Sequence, residues 1–168
     1  MVISYQGGQS FKISQGDLAL VINPKDKNSA SIALFTDQSG LPREASAKWG
    51  FVIDGPGEYE IKDVFIKGFP DRTYLATFEG IKLCFLGAKR DEQDELEDID
   101  MLFTPVNAYK SAVALEPAVM IPMGYNEASL KQFLKEGGED KVEPLDKFVV
   151  KKKDLEGKEG EIIVLKEE

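Results

Sequence analysis

The sequence predicts an α/β protein in which two β-sheets pack face to face with helices outside, and three observations carry this prediction. Short apolar runs separated by Gly, Pro and Asn fill the first half of the chain. An antiparallel meander follows, because the hairpin turns Lys62-Asp63 and Glu79-Gly80 divide alternating segments. The last third alternates apolar runs with helical patterns. A length of 168 residues fits a single domain over residues 1–168.

The first half of the chain predicts five strands, at MVISYQG, SFKIS, DLALVINP, SIALF and FVID. The run SIALF is wholly apolar, which is typical of a strand covered on both faces. Pro42 fits the first turn of a helix, so a short helix is predicted from Arg43 to Trp49.

The second half predicts hairpin strands at EYEI, VFIKGF, RTYLATF and IKLCFLG, then buried strands at IDMLFTPV and PAVMIPM. Between the last two lies a short helix, AYKSAVAL. The clearest helix is NEASLKQFLKEGG, with Asn126 as N-cap, Gly137 as stop, and Leu130, Phe133 and Leu134 on one face. Final strands are predicted near FVVKKK and GEIIVLKEE, and the acidic segment AKRDEQDELED is predicted as surface.

The composition limits the kinds of molecule that the protein is expected to bind and the cell compartment in which it is expected to work. A net charge of −9 argues against nucleic acid and anionic membranes, which bind basic surfaces. No apolar run approaches the ~20 residues that span a bilayer, and the start of the chain does not resemble a signal peptide. Cys84 is the single cysteine and lies in an apolar run, so burial rather than disulfide formation is predicted. Together these features indicate a cytoplasmic protein.

The chain contains no histidine, and this excludes several common kinds of catalytic site. A Ser-His-Asp or Cys-His arrangement is impossible, and typical zinc sites need imidazole or thiolate ligands. The turn after SIALF, where α/β enzymes often carry catalytic groups, offers only the carboxylate of Asp37 and the hydroxyl of Ser39.

Seven segments in this order resemble the metallo-β-lactamase-fold hydrolases, and most closely their small prokaryotic branch: ISYQGGQSFKI, LVINP, SIALFT, FVIDGPGEYEI, IKLCFLG, DIDMLFTPV and PAVMIPMGY. The resemblance extends from Met1 to about Leu165. It implies a four-layer αββα sandwich with a metal site on one edge, held by loops between strands. In this chain several of those loops are trimmed.

The resemblance also implies where each metal ligand would lie, and every such position is substituted. The histidine of the opening strand is Gly8. The family's acid at the corner after the third strand, which is not one of the ligand positions, is Asn23. The loop of the next ligand histidine is deleted, since only Asp71 separates Pro70 from Arg72. The remaining ligand positions are Asp37, Ser39, Leu41, Pro42, Phe85, Ala88 and Gly124.

These substitutions favour a catalytically inactive, metal-free protein that serves as a binding or interaction module, alone as a homo-oligomer or with a protein partner. The alternative is a hydrolase with a carboxylate site for a divalent cation such as Mg²⁺ or Ca²⁺, built on Asp37 with Asp54 and Glu58. A third hypothesis, a structural subunit, predicts a large apolar surface patch. Both a filled cleft and a residual small-molecule cleft stay open, the latter lined by Asn23, Asp37, Ser39, Lys89 and Tyr125.

Overall fold

The computed structural model describes residues 1–25, 29–36, 48–87 and 96–168 of the chain. Within these residues the chain forms two mixed β-sheets that pack against each other, with helices on one outer face. The α/β sandwich predicted from the sequence is therefore confirmed.

The first sheet has six described strands in the order β12-β1-β2-β3-β4-β5. Strands β1 to β3 and β12 pair antiparallel, whereas β3, β4 and β5 run parallel. The strands are β1 Val2–Gly7, β2 Ser10–Gln15, β3 Leu18–Ile22, β4 Ala30–Leu34, β5 Trp49–Ile53 and β12 Phe148–Val149.

The second sheet has seven described strands in the order β13-β11-β10-β9-β8-β7-β6. Strands β6 to β9 form the predicted antiparallel meander, and β9, β10, β11 and β13 are parallel. The strands are β6 Gly57–Ile61, β7 Val64–Gly68, β8 Tyr74–Phe78, β9 Ile81–Phe85, β10 Met101–Pro105, β11 Val119–Met123 and β13 Glu161–Ile162.

Two helices cover the outer face of the second sheet, α1 Tyr109–Val113 and α2 Glu127–Glu136. Asn126 caps α2 as predicted: its side chain accepts a hydrogen bond from the backbone N–H of Ser129, and Ser129 returns one to Asn126. Phe133 and Leu134 are buried against residues of β9 to β11, including Cys84, so this face of α2 forms a second core.

The main core lies between the sheets and is built from the alternate residues of the strands. Ile32 and Leu34 of β4 point into it, while Ala33 packs on the opposite face with Phe35 and Trp49. Strand β4 is thus covered on both faces, as its apolar run predicts.

Two segments form an element of a different kind from the one that the sequence predicts. Trp49 begins β5 instead of ending a helix, and the rest of the helix predicted from Arg43 lies outside the described residues apart from Lys48. The lysine run after β12 opens a short 3₁₀ helix, Lys152–Leu155, because the Asp154 side chain caps the backbone N–H of Lys151. Among the described residues, no helix is long and apolar enough to cross a membrane.

Candidate functional site

One edge of the sandwich brings together the described residues that the sequence analysis singled out. Strands β3, β4 and β5 end there, and the β1–β2 turn lies beside them because β1 runs parallel to β3. In the second sheet, β9, β10 and β11 end at the same edge. Since strand ends of both sheets meet here, Gly8, Asn23, Phe85, Gly124 and Tyr125 share one edge of the molecule.

Gly8 and Gly124 join the two sheets directly. The backbone N–H of Gly124 donates to the carbonyl of Gly8 at 2.6 Å. Both glycines have positive φ, 63° and 68°, which side chains disfavour. A Cβ at Gly124 would lie 3.3 Å from Cγ of Gln9, so the Gln9 side chain occupies the space of a side chain at position 124. Two positions that the resemblance assigns to metal ligands thus carry no side chain and are bridged by backbone.

Asn23 is fixed by its amide group. Its Nδ2 donates to the carbonyl of Gln9 at 3.1 Å and to Oγ1 of Thr36 at 2.8 Å, and its Oδ1 accepts from the backbone N–H of Thr36 at 2.9 Å. Its φ of 45° is one that asparagine tolerates better than most residues. A carboxylate here could not donate to the Gln9 carbonyl, so the surroundings of Asn23 suit an amide rather than the acid of the resembled family.

We expect Asn23→Asp to lower the free energy of unfolding by about 1–3 kcal/mol at neutral pH, because it turns a donor into a charged acceptor facing a carbonyl. The loss should shrink as the pH falls toward about 4, the ordinary pKa of an aspartate, since the protonated acid can donate again. Urea unfolding at several pH values measures both effects. Asn107→Asp makes the same change on an exposed turn and should stay within about 0.5 kcal/mol of the parent. Equal effects of the two variants would contradict the role of the Asn23 amide.

Phe85 lies in a row of aromatic rings that crosses the interior below this edge. It stacks on Phe103 at 4.6 Å between ring centroids, and Phe103 meets Phe11 edge-on at 5.1 Å. The row continues through Tyr5, 4.8 Å from Phe11, to Tyr125, 5.5 Å from Tyr5. Phe85 is fully buried, so this position, which the resemblance assigns to a metal ligand, belongs to the hydrophobic core.

The two tyrosines of this row bond to backbone carbonyls. The Tyr5 hydroxyl donates to Gly8 at 2.9 Å, and the Tyr125 hydroxyl donates to Leu165 at 2.7 Å. Burial, with the nearby Tyr125 and Glu167, raises the pKa of Tyr5 to about 12. Burial and Glu167 also raise the pKa of Tyr125. Both phenols are therefore neutral near pH 7 and act as hydrogen-bond donors.

The end of the chain also reaches this edge, which the sequence did not indicate. The Glu167 carboxylate fills the space that a Cβ at Gly7 would need, and Lys25 lies 3.5 Å from Glu167 Oε1. The backbone N–H of Glu168 donates to the carbonyl of Tyr5 at 3.0 Å. Contacts between residues so distant in sequence carry no local signal.

The connection from β7 to β8, where the resemblance places a ligand-bearing loop, is a tight turn. The N–H of Phe69 donates to the Thr73 carbonyl, and the N–H of Arg72 donates to the Phe69 carbonyl, both at 2.9 Å. Thr73 in turn donates to the Asp71 carboxylate and accepts from the N–H of Gly87 at 3.1 Å. The shortness inferred from the sequence is thus seen in the structure, and the turn holds the segment that follows β9.

The other predicted positions, Asp37, Ser39, Leu41, Pro42, Ala88 and Lys89, lie outside the described residues. Within the described part of the chain, no group of three or more His, Cys, Asp or Glu side chains could hold a metal ion, and Asp54 and Glu58 form no such group. The residues present at Gly8, Asn23, Phe85 and Gly124 do not fit the zinc that the resembled hydrolases use, because none offers an imidazole, thiolate or carboxylate.

Several solved structures share this architecture. A protein from Thermotoga maritima described as a Zn-dependent hydrolase of the metallo-β-lactamase superfamily superposes with a TM-score of 0.78 and 25% identity, covering 98% of each chain. A metal-dependent hydrolase from Parabacteroides distasonis gives a TM-score of 0.62 and 19% identity, covering 82% of this chain and 90% of its own. A metallo hydrolase from Ignicoccus hospitalis gives 0.58 and 17%, covering 89% of this chain and 99% of its own.

No protein-family model matches the sequence, and no curated protein resembles it. The structural similarity nevertheless extends over 98% of the chain. The protein is a histidine-free chain with the fold of the metallo-β-lactamase superfamily.

Proposed function

We propose that this protein is a catalytically inactive, metal-free relative of the metallo-β-lactamase-fold hydrolases and serves as a binding or interaction module. The observation that carries the proposal is the hydrogen bond between Gly124 and Gly8, which joins two former ligand positions that have no side chains. Phe85 supports it, because a third such position is part of the packed core.

The chemistry of the described edge supports the same proposal. Hydrolases of this type use a metal ion to generate hydroxide near neutral pH. The Asn23 amide does not ionise, and the raised pKa of Tyr5, about 12, makes its phenol a poor base at pH 7. Asn23 and Tyr5 therefore provide structural hydrogen bonds at this edge rather than a base for activating water.

The structural neighbours are described as hydrolases, and their similarity to this chain supports its fold rather than an activity. Their sandwich provides a rigid frame on which surfaces other than the metal edge can bind partners. A cytoplasmic location is part of the proposal, since the single cysteine, Cys84, is buried and fits a reducing compartment.

The first test is the metal content of protein purified without an affinity tag or chelator, measured by elemental mass spectrometry. We expect less than about a tenth of an equivalent of zinc, manganese or iron per chain, because no group of three or more His, Cys, Asp or Glu side chains among the described residues could hold these ions. Addition of Mg²⁺ or Ca²⁺ in a calorimeter should give no saturable heat. Near-stoichiometric metal in either experiment would overturn the proposal.

A positive result would favour the carboxylate hydrolase, and Asp37→Ala would then test it. The matched control is Asp17→Ala, which removes an exposed acid from the β2–β3 turn at the opposite edge of the sheet. Loss of bound metal in the Asp37 variant alone would assign the ion to the former active-site turn.

A further inference from the structure

Strand β5 is an edge strand with the features of a pairing site. It is the last described strand of the first sheet, and its sequence from Trp49 to Ile53 contains no charged residue. Phe51 is 54% exposed and Val52 is 39% exposed. Uncharged apolar edge strands readily pair with another chain, and proteins that avoid this place charges or proline there.

The other sheet edges are different. Strand β6, at the end of the second sheet, carries Glu58 and Glu60, which are both exposed. Strands β12 and β13 are edges of two residues each. Among the described edges, β5 is therefore the one that combines length with an uncharged sequence.

The backbone hydrogen-bonding groups of β5 point alternately toward β4 and away from it. The carbonyl of Ile53 accepts a hydrogen bond from the N–H of Phe35 in the segment after β4. Because the backbone groups of a strand alternate in direction, Phe51 also turns its N–H and C=O toward β4, whereas Gly50 and Val52 turn theirs to the side where no described strand pairs with β5.

We propose that β5 pairs with β5 of a second copy of this chain, antiparallel and centred on Phe51, and this proposal names the partner of the interaction module proposed above. In this register Gly50 faces Val52 of the other copy, and the two residues exchange N–H and C=O bonds on each side of the two-fold axis. Phe51 faces its own copy as a non-hydrogen-bonded pair, in which side chains are closest.

The charges that flank β5 select this register. Lys48 precedes the strand and Asp54 follows it, each three residues from Phe51. Antiparallel pairing centred on Phe51 brings the ends of the strands together, so that Lys48 of each copy, just before β5, approaches Asp54 of the other, just after it. Opposite charges then meet at both ends. Centring on Gly50 or Val52 would lose these matches. A partner of unrelated sequence would need to reproduce this pattern, whereas a second copy has it by symmetry.

The interface is small, since it rests on two short strands and their flanking charges, so we expect a dissociation constant in the micromolar range. Sedimentation velocity over a concentration series should show a species of twice the 18.6 kDa chain mass at high concentration. Phe51→Lys should weaken the dimer by at least about tenfold, because two ammonium groups would face each other across the axis. Phe65→Lys is the matched control, since Phe65 is also 54% exposed but lies on β7, and it should leave the dimer unchanged.

A disulfide experiment tests the register. Phe51→Cys should form a disulfide-linked dimer on mild oxidation, because non-hydrogen-bonded pairs place their Cα atoms about 4.5 Å apart. Val52→Cys should not, since its copies would be about 8 Å apart in this register. The native Cys84 is fully buried, so the parent protein should not cross-link and serves as the control. Cross-linking of the Val52 variant alone, or a monomer at every concentration, would overturn the proposal.

The dimerisation experiments and the metal experiment test the two proposals independently. A monomer with negligible metal would remove β5 as a self-pairing surface and leave the edge open to a partner of another sequence. A dimer with stoichiometric metal would support the pairing and overturn the metal-free assignment.

Discussion

Phe85→Ala should lower the free energy of unfolding by about 3–5 kcal/mol, the range for removing a fully buried phenylalanine. Phe85 is 0% exposed and stacks on Phe103, and its truncation would open a cavity in the aromatic row between the two sheets. In a metal hydrolase of this fold, the same position would serve chemistry at the expense of packing. The expected loss of unfolding free energy therefore distinguishes a packed core residue from a residue that lines an empty metal site.

Chemical denaturation monitored by far-ultraviolet circular dichroism measures this loss. Phe65→Ala is the control, because Phe65 is exposed, and it should change the free energy of unfolding by less than about 0.5 kcal/mol. Phe85→His, which restores the residue of the resembled motif, should also destabilise. Its buried imidazole would have a lowered pKa, so the loss should grow as the pH falls below about 6.5. A parent-like Phe85→Ala variant would show that the row is loosely packed.

The strands of this protein could be predicted because each has a strong local signal. The turns Lys62-Asp63 and Glu79-Gly80 adopt positive φ at both residues, which fits two-residue hairpins and fixes the register of the meander. The cap of α2 depends on Asn126 and Ser129 alone, so it too can be read locally. Trp49 was assigned to the wrong element because a tryptophan after a helical pattern suits either a helix end or a strand start.

The site was only partly predictable. The resemblance identified Gly8 and Gly124 as former ligand positions, and the structure brings them into direct contact. The residues that occupy the space around them, Gln9 and Glu167, could not be named, since their roles depend on packing between distant parts of the chain. Such contacts have no periodicity or motif in the sequence.

Ion pairs between charged segments that are distant in the sequence could not be predicted either. The sequence predicts the acidic segment before β10 as surface and the lysine run after β12 as part of a strand, with no contact between them. In the structure Lys152 Nζ lies 2.6 Å from Oδ2 of Asp100, whose carboxylate also accepts from the N–H of Lys82. Asp100 is thus a hydrogen-bond and ion-pair acceptor at the start of the parallel strands.

Stability should fall between about pH 10 and 12 as two buried tyrosines ionise. Burial is the main cause that raises the pKa of Tyr5 and of Tyr74 to about 12, from an ordinary value of 10. A group whose pKa is higher in the folded state contributes stability that is fully present below the unfolded pKa and is lost as the pH rises through the folded one. A shift of two units corresponds to about 2.7 kcal/mol. We expect about 1–2 kcal/mol per tyrosine, because local relaxation admits water to the phenolate.

The double variant Tyr5→Phe/Tyr74→Phe isolates this effect, since it keeps every lysine that also titrates in this range. At neutral pH it should be less stable than the parent, because the carbonyls of Gly8 and Phe35 lose their donors. Urea unfolding from neutral to alkaline pH should then show a shallower decline for the variant, so that the two stability curves converge. Parallel curves would mean that these phenols ionise equally in the folded and unfolded states, and that Tyr5 lies open to solvent beside Gly8. In that case the edge that we describe as packed would be a cleft accessible to a ligand.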